Sequence, residues 1–202
     1  MTRNVGIYIY DEVEVLDLGG PFEVFSTASR MKARWLPDSA RPFEVFTIAD
    51  SIRPIRARGG LMITPSFDTA NHPKIDLLLI PGGVHNSELG RSNIIEWIAR
   101  TATQAELTAS VCTGAFLLAK AGLLHGKTIT THWEDMEEFC TMFPNIPVQG
   151  DKRWVDNGNI VTSAGISAGL DMSLHLVARL ESEELAVRTA RQMDYDWQRS
   201  PA

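Results

Sequence analysis

The chain has 202 residues, is 44% hydrophobic and carries a formal net charge of −6 with no basic run, which suits one domain over residues 1–202 and argues against a nucleic-acid partner. No apolar stretch approaches a membrane span, and the first apolar run is too short for a signal peptide. Two cysteines, Cys112 and Cys140, make no disulfide framework, so a reducing, cytoplasmic location is expected.

Val5–Tyr10 is a short apolar run and predicts a buried strand. Gly20 followed by Pro21-Phe22-Glu23-Val24-Phe25 predicts the opening of a helix, with Pro21 in its first turn. Residues 34–41 predict a surface loop through Pro37, Asp38 and Ser39. Phe43–Ile48 predicts a second strand, and Leu61–Thr64 a short extra one after Gly59-Gly60. Asp76–Ile80 reads as a strand buried on both faces, ending at Pro81-Gly82-Gly83. Ser92–Thr103 predicts a helix with Ile94, Ile95, Ile98 and Ala102 on one side. Leu107–Val111 predicts a strand that feeds directly into Cys112, followed by a helix over Ala115–Leu124. Thr128–Thr131 and Ile160–Ser163 predict further strands, Met136–Phe143 and Leu170–Leu180 further helices. Residues 193–202 show no period and read as a tail that packs or joins an interface.

Strands alternating with helices predict an α/β fold with a mostly parallel sheet covered on both faces. Ligands of such sheets sit beyond the carboxyl ends of the strands. The Asp17 segment, Pro81-Gly82-Gly83 and Cys112-Thr113 are expected to converge there.

Ser110-Val111-Cys112-Thr113-Gly114 has the strand–turn–helix layout of a nucleophile elbow, with Cys as the nucleophile. A thiol aimed at the positive end of a helix favours thiolate, the reactive form. The alternative is a buried structural cysteine. Asp17 lies between two leucines, where desolvation raises a carboxyl pKa and suits it to shuttle protons; a turn or capping role is the alternative. Glu23 ranks below it, as a first-turn acid beside the helix dipole. Gly82 and Gly83 offer bare N–H groups for a developing negative charge, or form an ordinary turn. The Thr113 amide is the natural second donor, and its hydroxyl suits a water, the substrate or the helix cap. His132, where a strand passes into a helix, assists the thiolate, positions a ligand or simply bonds backbone. Cys140 reads as core packing. His72, His85, His125 and His175 lack metal-ligand spacing and no phosphate loop is present, so no metal and no cofactor are expected.

In this order the segments resemble the ThiJ/PfpI superfamily over nearly the whole chain. The resemblance rests on Leu16–Pro21, Ile80–Gly83, Ser110–Gly114, Ala121–Lys127, Thr130–Trp133, Asp156–Thr162 and Gly165–Asp171. It implies a flavodoxin-like three-layer sandwich. Asp17 with the Cys112-Thr113 pair is most similar to the isocyanide hydratase family, which implies hydration of an organic isocyanide to an N-substituted formamide. There Cys112 attacks the terminal carbon, Asp17 moves protons, and Thr113 and the Gly83 amide position the intermediate. The resemblance also implies a small-molecule substrate and a homodimer. Thr113, where the protease-like branch has His, weakens a peptidase or amidase reading. Asp17, where the chaperone and glyoxalase-like branch has Glu, weakens a glyoxalase or deglycase reading. The motifs also resemble the sensor half of AraC-type regulators, which adds a non-catalytic redox or metabolite sensor to the glyoxalase/deglycase-like and amidase/peptidase-like alternatives.

Overall fold

A computed structural model describes residues 1–201. In chain order the elements begin with β1 (Arg3–Tyr8), α1 (Val15–Trp35), β2 (Phe43–Ala49), β3 (Ile55–Arg56), β4 (Met62–Ile63), β5 (Phe67–Asp68) and β6 (Leu77–Ile80). They continue with α2 (Asn86–Leu89), α3 (Ser92–Gln104), β7 (Leu107–Val111), α4 (Gly114–Lys120), α5 (Met136–Met142), β8 (Trp154–Asp156), β9 (Ile160–Ser163), α6 (Ala168–Leu180) and α7 (Glu183–Gln192). The expected α/β sandwich is present. Seven strands lie in the order β5-β2-β1-β6-β7-β9-β8, parallel except for β8. β3 and β4 form a separate antiparallel hairpin.

The centre of the sheet is apolar on both faces because helices cover both. Leu77, Leu78, Leu79 and Ile80 are all buried, each side chain contributing roughly 1.5–3 kcal/mol on removal from water. α1, α6 and α7 pack together on one face, and α2, α3 and α4 on the other. The chain leaves β1 toward β2 on one side and later places β6 on the other side of β1. That reversal opens a crevice beyond the carboxyl ends of β1 and β6, the usual ligand position in such sheets.

Four expectations need correction. Pro21 is not in a first turn: the helix starts six residues earlier, so Pro21 lies inside it. The start is set by tertiary contacts, since Val13 bridges Gly83 and the Glu14 N–H donates to the Gly82 carbonyl at 2.9 Å. Thr128–Thr131 is not a strand; Ile129 makes one isolated bridge to Val148, and the Thr130 N–H is taken by the Thr162 hydroxyl. The helix after Cys112 is short, ending at Lys120. Cys140 is exposed, not packed. Its helix turns Phe139 inward, and the next residue points about 100° away.

Candidate active site

The three segments converge. Cys112 follows the last residue of β7 with a left-handed backbone, φ 55°, a conformation uncommon outside glycine. The surroundings hold it there. The Cys112 N–H donates to the Ser163 carbonyl at 3.1 Å, and the Thr131 hydroxyl donates to the Cys112 carbonyl at 2.8 Å. Asp17 sits in the first turn of α1 and is fully buried. Its Oδ2 accepts the Gly82 N–H at 3.0 Å, while Oδ1 has no hydrogen-bond partner in the protein.

Thr113 caps nothing with its side chain. Its hydroxyl accepts the Gly83 N–H and donates to the Gly83 carbonyl, both at 3.0 Å. The Gly82 and Gly83 amides are therefore engaged: one holds Asp17 and the other holds Thr113. Only glycine fits at 82, where a Cβ would fall 2.7 Å from the Thr113 nitrogen and hydroxyl and 2.8 Å from Asp17 Oδ2. Tyr10 braces the same turn from below, its hydroxyl donating to the Pro81 carbonyl at 3.3 Å. The amides that act on the Cys112 sulfur are those of Thr113 and Ile166.

Burial pushes the Cys112 thiol far above its usual range and the Asp17 charge pushes it further; the two amides only partly oppose this. Enclosure of the sulfur thus works against the thiolate that the elbow pattern leads one to expect. Its helix has only seven residues and the sulfur is nearly enclosed, so desolvation outweighs the helix terminus. Burial likewise raises the Asp17 carboxyl to about 7, against the lowering effect of the Gly82 N–H. A carboxylate at that value beside a thiol is a base placed to take the thiol proton.

Cys112 and Thr113 open into a cavity of about 310 Å³. His132 lines it, but as the cap of a 3-10 turn over Trp133–Asp135: its Nδ1 accepts the Glu134 N–H at 3.3 Å and lies 3.3 Å from Asp135 Oδ2. The ring packs against Gly165, where a Cβ would overlap it.

Two contributors escaped sequence reasoning. Ile166 acts through its backbone, which no residue type advertises. His85 is buried against Phe116, ring centroids 4.2 Å apart, and lines the same cavity. Burial lowers its pKa, which favours the neutral ring. Its Nδ1 lies 3.4 Å from the Gly83 carbonyl. A carbonyl only accepts, and the tautomer that donates to it leaves Nε2 a bare acceptor, buried without a partner. The signal was its place two residues after Gly83. Among the described residues, no group of three or more His, Cys, Asp or Glu side chains is arranged to hold a metal ion, and no helix is long and apolar enough to cross a membrane.

Comparison with known proteins gives this geometry a context. The profile of the DJ-1/PfpI family matches residues 3–179. An isonitrile hydratase from Pseudomonas putida is 32% identical over 196 residues, 96% of this chain and 79% of the relative. The HTH-type transcriptional regulator GbdR of Pseudomonas aeruginosa is 28% identical over 194 residues, but this chain spans only 51% of its length. Among solved structures, a ThiJ/PfpI family protein from Pseudomonas syringae superposes with a TM-score of 0.84 at 27% identity, covering 97% of this chain and 76% of that one.

Proposed function

This chain belongs to the DJ-1/PfpI family, and within that family we propose that it is a cysteine-dependent isocyanide hydratase. The observation that carries the reading is the buried Cys112 thiol beside an Asp17 carboxyl raised to about 7. Similarity to the isonitrile hydratase supports the same reaction.

The reaction passes through a thioimidate on Cys112. As the Cys112 sulfur bonds to the terminal carbon of R–NC, its proton moves to Asp17. Asp17 then delivers that proton to the same carbon, giving a thioimidate, R–N=CH–S–Cys112. A water molecule adds to this carbon; one of its protons reaches nitrogen through Asp17. The C–S bond breaks, the hydroxyl proton returns to sulfur, and R–NH–CHO leaves. The Thr113 and Ile166 amides stabilise negative charge on sulfur. Gly82 and Gly83 act by holding Asp17 and Thr113, and His132 by shaping the wall. A small-molecule substrate and a homodimer belong to the same proposal.

The test is formamide formation from cyclohexyl isocyanide. Wild-type protein turns over, whereas Cys112→Ala and Asp17→Asn fall by at least about a hundredfold, a typical contribution of one positioned acid–base group. Turnover retained by Cys112→Ala sinks the proposal. A ligand sensor is the second reading, favoured by the similarity to a transcriptional regulator over 96% of this chain. It predicts saturable binding without turnover.

A further inference from the structure

We infer that the substrate reaching Cys112 carries a positively charged, hydrogen-bond-donating group, a primary or secondary ammonium, seated on a wall made by Glu134, Asp135 and Glu138. The inference takes from the hydratase reading only the place where a substrate sits.

The cavity that exposes Cys112 is lined by four carboxyl side chains: Glu14, Glu134, Asp135 and Glu138. Its one guanidinium, Arg58, lies 3.5 Å from Glu14 and answers that charge. The remaining three have no Lys or Arg partner among the described residues. The ion-pair contacts of Glu134 and Asp135 are with His132 Nδ1 alone among the described residues, at 3.8 and 3.3 Å, and that nitrogen already accepts the Glu134 N–H. The formal charge around the cavity is therefore strongly one-sided.

A second observation points the same way. His85, 3% exposed on this cavity, has its Nε2 buried and unpartnered. Its Nδ1 lies 3.4 Å from the Gly83 carbonyl, and the tautomer that donates there leaves Nε2 as an acceptor. A buried acceptor without a donor is costly unless something supplies one. An ammonium group supplies both N–H donors and the missing positive charge. A carboxylate or phosphate headgroup would meet three like charges and a lone pair. A cleft lined by one sign of charge also concentrates the opposite ion, raising encounter rates tenfold or more.

Charged thiol reagents test this without any assumption about the reaction. The Cys140→Ser protein leaves Cys112 as the single thiol. It is treated at pH 8.5 with primary-ammonium, quaternary-ammonium and sulfonate methanethiosulfonates of equal length. Modification is followed by intact mass, and each rate is divided by that of N-acetylcysteine. The expected order is primary ammonium, then quaternary ammonium, then sulfonate, with the first about tenfold or more above the last. Glu134→Gln/Glu138→Gln, both exposed positions, should bring the ratio toward one, as should high salt. Equal rates, a sulfonate preference, or a preference the double variant leaves intact overturns the inference. Failure of every isocyanide to turn over would sink the hydratase reading and leave these rates as they are. Faster turnover of a carboxylate-bearing isocyanide than of its ammonium counterpart would sink the charge assignment alone.

Discussion

Asp17 pairs chemistry with a cost in stability. Its carboxyl is raised from 3.8 to about 7, mainly by burial, so the folded chain holds that proton more tightly than the unfolded chain does. That stabilisation is fully present below pH 3.8 and is lost as pH rises through about 7. Asp17→Asn keeps an acceptor for the Gly82 N–H and removes the buried charge. The variant should be more stable than wild type at pH 8, by roughly 2–4 kcal/mol, and no more stable at pH 4. Urea melts at the two pH values check this; an equal increment at both would contradict it. Asp17 and Cys112 were both legible in sequence, because a carboxylate between leucines and a cysteine after an apolar run carry residue-type signals. The sulfur's protonation was not, since it depends on how completely neighbouring segments enclose it. The Ile166 amide left no trace for the same kind of reason: backbone donors look alike in any sequence.

Elements were legible where local pattern and tertiary context agree. Leu77–Ile80 and Leu107–Val111 read correctly because continuous burial leaves a continuous apolar run. The start of α1 misread because a bridge between Val13 and Gly83, 70 residues apart, sets it. α7 was overlooked although its signal is local: the Ser182 hydroxyl accepts the Leu185 N–H at 3.2 Å, with Glu183 and Glu184 in the first turn. β8 was overlooked too. The Asn157-Gly158 turn that folds it back on β9 is a known hairpin signal, but the strand has only three residues. The turn after β6 is the element on which the site depends. Gly82→Ala sets a methyl group against Thr113 and Asp17, so it should cost about 1–3 kcal/mol, the usual range for overpacking. Urea midpoints measure that cost, and formamide formation should fall in the folded fraction. An unchanged midpoint would mean the turn is looser than its contacts indicate.

For the molecule as a whole, strand–helix alternation was enough to anticipate the sandwich, and the switch-point rule anticipated that the three candidate segments converge. Sequence could not supply the pairing order, which puts β6 beside β1 and a lone antiparallel strand at the far edge. Nor could it show which apolar side chains stay outside. Leu61 and Met62 on the hairpin are 51% and 58% exposed, and the proposed homodimer would cover such a surface. Sedimentation should give a mass near twice 22.4 kDa, shifting toward the monomer in Leu61→Glu/Met62→Glu; a monomeric wild type would remove the dimer from the proposal. The segment from Glu12 to Glu14 is zipped to Gly82–Val84 through backbone bonds, and the same two glycines hold Asp17 and Thr113. The amide protons of Gly82 and Gly83 are consequently built-in witnesses. In deuterium exchange, their protection records whether carboxyl and hydroxyl are both seated, with no substrate added. Because one short strap carries both contacts, the two protons should be lost to solvent in a single opening event.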